Sequence, residues 1–100
     1  MVIATAISVY PNPFDQFVIV EVTCEDKQDC IILLADLQRS KIIRMMGAGL
    51  IEGTNRIPLE GLSLLQTGSY QLDIRTAAGD ILYQTLLIKQ SSQPLTMPDR

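Results

Sequence analysis

The chain contains no histidine and no tryptophan, and only two cysteines among its 100 residues. Without histidine, Ser-His and Cys-His dyads, imidazole general bases and every histidine-containing metal site are excluded together. Ser8, Ser40, Ser63 and Ser69 therefore lack an imidazole to activate them. Lysine and arginine number 8 against 11 acidic residues, a net charge of −3. That balance, with few aromatic side chains, disfavours nucleic acid as a partner, which asks for clustered cations and stacking rings. The longest strictly apolar run, Cys30 to Ala35, is too short to cross a bilayer, so no stable membrane insertion is expected. The opening residues, MVIATAISVY, lack both a positive n-region and a small-residue cleavage site, and do not read as a signal peptide. Work outside the cytoplasm would then need an address carried upstream.

What is abundant is alternation. Hydrophobic residues make up 47% of the chain, too many for a disordered tail and enough for the core of one domain. In FVIVEVTC, Val18, Val20, Val22 and Cys24 share a face, with Glu21 and Thr23 on the other. In SYQLDIRT, Tyr70, Leu72 and Ile74 oppose Gln71, Asp73 and Arg75. This period of two predicts strands over about 2–10, 16–24, 30–37, 41–46, 54–59, 69–76 and 80–89. Pro58 should place the fifth strand at an edge, because proline cannot donate to a ladder. Breakers separate the runs, among them Pro11 with Pro13, Gly47 with Gly49, Gly61 to Gly68, and Gly79 with Asp80. No segment of helical length has a 3.6 period, although residues 61–66 could form one helical or 3₁₀ turn. The expectation is all-β: an immunoglobulin-like Greek-key β-sandwich of about seven antiparallel strands over residues 1–90. Residues 91–100, polar with two prolines, read as a loose tail.

Particular stretches say more. In YPNPF the prolines hold Tyr10 and Asn12 extended and interrupt any ladder, giving a stiff corner between sheets with Phe14 and Phe17 turned inwards. In GLSLLQTGSYQLDI, a glycine two residues before an inward tyrosine fits a tyrosine corner: Gly68 accepts a positive φ, the Tyr70 phenol bonds back to upstream backbone, and Leu62 and Leu65 plug the sandwich end. Cys24 and Cys30 flank an acidic loop and match no metal motif. Two readings stand for them, a disulfide across a hairpin or two buried free thiols. The loop itself lacks the alternating ligands of a calcium site and reads as a solvated tip. MMGAGLI, Met45 to Ile51, is unusually apolar for a loop. It either packs across the sandwich, the favoured reading, or offers a patch to a partner or to a second copy in a homodimer.

Taken in order, these stretches resemble the C-terminal sorting domain of the type IX secretion system of Bacteroidetes. Tyr10, Pro11, Asn12 and Pro13 match its opening block, Asp36 and Arg39 a central block, Gly53 and Asn55 a third, and Gly68 and Tyr70 a fourth. Gly79 matches the turn before the last strand and Lys89 the closing lysine. Gln38 stands where the family has glycine, and the chain continues for eleven residues past Lys89. The resemblance implies a folded tag without catalytic, metal or cofactor sites. It would carry a cargo protein through the periplasm and across the outer membrane, meeting the translocon and a sortase-like peptidase as protein partners, for release or attachment at the cell surface. A recognition role for Arg39 comes from the family alone; by itself, Asp36 with Arg39 is a surface pair worth about 0–1 kcal/mol.

The rival expectation is an immunoglobulin-like adhesive, carbohydrate-binding or spacer module, since sandwiches host many functions. Sugar binding is disfavoured, because only Tyr83 among the aromatics lacks a structural role in this reading.

Overall fold

The computed structural model describes residues 4–90, and the expectation for residues 91–100 lies outside them. The chain forms seven strands and no helix among the described residues: β1 (Ala4–Tyr10), β2 (Val18–Cys24), β3 (Gln28–Asp36), β4 (Lys41–Leu50), β5 (Gly53–Leu59), β6 (Gly68–Thr76) and β7 (Ile81–Lys89). They build two antiparallel sheets, in the orders β1-β2-β5 and β4-β3-β6-β7. The chain changes sheet after β2, after β4 and after β5. β4 pairs with β3 rather than β5, unlike the seven-strand constant-type immunoglobulin order, and so becomes an edge of the larger sheet.

Alternation decides which side chains meet between the sheets. Val18, Val20, Val22 and Cys24 of β2 face Cys30, Ile32 and Leu34 of β3 and Tyr70, Leu72 and Ile74 of β6, all nearly inaccessible to water. Phe14, Leu59, Leu62 and Leu87 close one end of this core, and Leu50 is buried near the other. β5 is an edge strand, and Pro58 in it pairs opposite Ile19.

Several expectations need correcting. The MMGAGLI stretch is not a loop. β4 continues through both glycines to Leu50, because β3 begins at Gln28 and pairs Ile31 with Gly47 and Asp29 with Gly49. Neither glycine has a positive φ. Met46, Ala48 and Leu50 turn inwards, while Met45 stays exposed. Phe17 does not turn inwards either. It precedes Val18, an inward residue, and alternation sends its ring out to 43% exposure. Residues 61–66 hold a single turn closed by Leu65 N–H on Leu62 O at 3.1 Å, an i→i+3 bond of the 3₁₀ kind that does not continue into a helix.

Candidate functional site

The end of the sandwich that carries the prolines gathers most of the singled-out residues. Tyr10 ends β1, Asp36 ends β3, Gly68 begins β6 opposite Lys89, and Tyr70 pairs with Asp36 on one side and Leu87 on the other. Gly53, Asn55 and Gly79 lie at the opposite end, near Cys24 and Cys30. There the Asn55 side chain bonds both N–H and C=O of Ile51, at 2.9 Å each, and so ties the β4–β5 turn. Cys24 and Cys30 are free buried thiols on strands of different sheets rather than across a hairpin. Burial, then the charge of Asp29 and the neighbouring Cys24, push the Cys30 thiol up.

The proline segment fastens to β7. Pro11 and Pro13 have no N–H, so this stretch cannot offer a continuous row of backbone donors. Asn12 substitutes its side-chain amide: Nδ2 donates to Leu86 O at 2.9 Å, and Oδ1 accepts from Ile88 N–H at 3.0 Å. Phe14 then continues in backbone, donating to Ile88 O and accepting from Gln90 N–H, both at 2.8 Å. The buried Phe14 ring meets Tyr70 edge-on, with centroids 6.0 Å apart.

Lys89 follows Leu87 in the inward register, and its side chain is only 2% exposed. Its ammonium donates to Asp15 Oδ1 at 3.1 Å, to Gln90 O at 3.3 Å and to Ser63 O at 3.4 Å. One cation thereby binds β7, the proline segment and the loop before β6. Asp15 was not singled out from sequence. The signal was available: a lysine on a core-facing position needs a carboxylate nearby.

The third cluster surrounds Asp36. Its carboxylate accepts from Gln38 N–H at 2.9 Å, Arg39 N–H at 3.1 Å and Arg39 Nη1 at 2.8 Å. Burial opposes the charge, but these bonds and the Arg39 cation outweigh it and hold the carboxyl below its ordinary value. At the β3–β4 turn, Gln38 folds over Gly68, and its Oε1 accepts from Ser69 N–H at 3.3 Å. The positive φ of this turn falls on Ser40. Gly68 has φ 146°, a conformation that favours glycine, and a Cβ there would also push the Gln38 amide aside. The Tyr70 hydroxyl donates to Gln66 O at 2.7 Å, the bond that defines a tyrosine corner. Burial and then the Asp36 charge push the phenol up, with Arg39 opposing, so it keeps its proton at neutral pH.

Between these clusters opens a cleft of about 200 Å³, lined by Asp36, Arg39, Lys41, Ile43, Leu64, Leu65, Gln66 and Tyr70. In it the Asp36 carboxylate accepts three bonds and the Tyr70 hydroxyl is engaged as a donor. Lys41 and Leu64 gave no sequence signal, because only the turn at 37–40 and the loop at 60–67 bring them together.

No family model and no curated protein matches this chain. Solved structures do match. One is the crystal structure of the Bifidobacterium adolescentis GH3 β-glucosidase, at 10% identity and a TM-score of 0.54. The match covers 99% of this chain and 18% of that one. The likeness is one of fold: an all-β domain of this build occurs as one part of a much longer protein.

Proposed function

We propose that the chain is a C-terminal sorting domain, an immunoglobulin-like Greek-key tag that directs a cargo protein through the type IX secretion system. On this reading the cargo is released or attached at the cell surface after passing the periplasm. The partners are the translocon and a sortase-like peptidase, and the domain itself is not an enzyme. One observation carries the reading. The Tyr10–Pro13 block, Asp36 with Arg39, Gly68 with Tyr70, and Lys89 lie far apart in the chain yet converge on one end of the sandwich. That end is locked by side-chain bonds between segments. A tag must keep its recognised surface while fused to unrelated cargo, and such cross-linking supplies that persistence.

The test fuses residues 1–90, and separately 1–100, to a periplasm-directed reporter in a bacterium that has this secretion system. Delivery of reporter to the surface or medium supports the proposal, and retention of both fusions in the periplasm removes it.

The second reading, an accessory or spacer sandwich without signal activity, is favoured by the fold shared with an 18% stretch of a glycosidase. It predicts periplasmic retention of both fusions.

A further inference from the structure

We infer that the free edge of β4 and the cleft at its Lys41 end bind an extended peptide carrying a carboxylate beside an aliphatic side chain. The inference holds under either functional reading above, because it rests on the lining of the cleft and the state of the sheet edges.

The edges are unequal. β5 carries Pro58, which has no N–H to offer. β1 has an irregular register between Ala4 and Ala6. The outer side of β7 is occupied over its last residues by Asn12 and Phe14. β4 remains: ten residues, Lys41–Leu50, with β3 on one side and no strand among the described residues on the other. Such an edge presents a row of unpaired N–H and C=O groups. Gly47 and Gly49 lie on it with ordinary space around a hypothetical Cβ, 3.9 Å from Cys30 O and 3.6 Å from Asp29 Oδ1, and without positive φ. Nothing inside the domain calls for glycine at these positions. A second backbone approaching from outside would, since glycine within a strand marks close backbone approach.

The cleft supplies side-chain selectivity. At about 200 Å³ it is smaller than the roughly 300–1,000 Å³ of sites for drug-sized ligands, so it admits one side chain and its neighbour. Its apolar wall is Ile43, Leu65 and Leu64, and Leu64 is 94% exposed, a leucine left bare at the lip. Its charge is positive. Asp36 is already answered by Arg39, whereas Lys41 has no ion pair among the described residues. The Arg44 guanidinium stands 3.8 Å from where a Gly61 Cβ would be, next to the acidic Glu60 of the same loop, so the excess in the lining is the charge of Lys41. This local excess sits on a chain of net charge −3, so it selects an anion there. Lys41 and Ile43 belong both to the cleft and to the free edge, which fits strand addition: the main chain supplies affinity and the pocket supplies choice.

The test titrates the full chain with acetyl-Thr-Val-Thr-Val-Leu-Asp as the free acid, followed by amide chemical shifts. Saturable shifts over Lys41–Leu50 and at Leu64 are expected. Binding should weaken about five-fold when the peptide ends in an Asn amide, and by a similar factor in Lys41→Glu, while Lys27→Glu at the opposite end leaves it unchanged. Lys41→Gln serves as the milder variant, and thermal unfolding verifies that each variant is folded. The inference is overturned by an absence of shifts at millimolar peptide, by equal binding of acidic and neutral peptides, by shifts confined to other edges, or by self-association of the free protein through β4.

Discussion

At the scale of single residues, the tyrosine corner and the Asp36 cage make the sharpest demands. Tyr70→Phe keeps the ring against Phe14 and deletes only the bond to Gln66 O. It should lower stability by about 1 kcal/mol, read as a lower urea midpoint with an unchanged slope. Asp36 contributes through ionisation. Its folded pKa lies below the ordinary 3.8, so its stabilisation is complete above that value and drains away as pH falls through the folded one. Asp36→Asn should therefore be less stable than the parent at pH 7, and the gap should narrow in acid. A constant gap between pH 7 and pH 2 would contradict this account. Tyr70 was legible in the sequence because a corner is a local pattern, one glycine and one tyrosine two residues apart. Lys41 was not, since nothing near it in the chain shows which loop it will face. Phe17 was misread because the inward register begins only at Val18, one residue later.

At the scale of elements, alternation identified all seven strands, since burial on one face leaves the same trace whichever strand lies alongside. What alternation does not encode is partnership. That β4 joins β3 instead of β5 depends on how the β3–β4 turn closes, through Asp36, Gln38 and Ser40. The last residues of β4 were hidden by their glycines, which resemble a break although the ladder passes through them. Gly47→Val should stabilise the domain by about 0.5–1 kcal/mol, because the position is extended, exposed and open to a Cβ. A lower melting temperature in that variant would show the glycine to be needed within the fold. Between elements, Lys89 is the main tie. Lys89→Ala removes a buried cation from Asp15 and uncouples the proline segment from the loop at 60–67. A loss of about 3 kcal/mol is expected, with faster hydrogen exchange at Phe14 and Gln90. Lys89→Met, which keeps the apolar stem, should cost less.

At the scale of the whole molecule, the sandwich has a division of labour. The end near Cys24, Cys30 and Asn55 is closed by short turns and internal bonds. The proline end is cross-linked but still presents a cleft and an open strand edge. The central claim is that this second end is the working face of a sorting tag. The most direct measurement is delivery of a periplasm-directed reporter fused to residues 1–100, comparing the parent with Lys41→Glu at the proline end and Lys27→Glu at the other, once both variants are shown to melt like the parent. The account predicts that the parent and Lys27→Glu fusions reach the surface or medium while the Lys41→Glu fusion accumulates in the periplasm. Retention of the parent fusion, or equal delivery of all three, would contradict it.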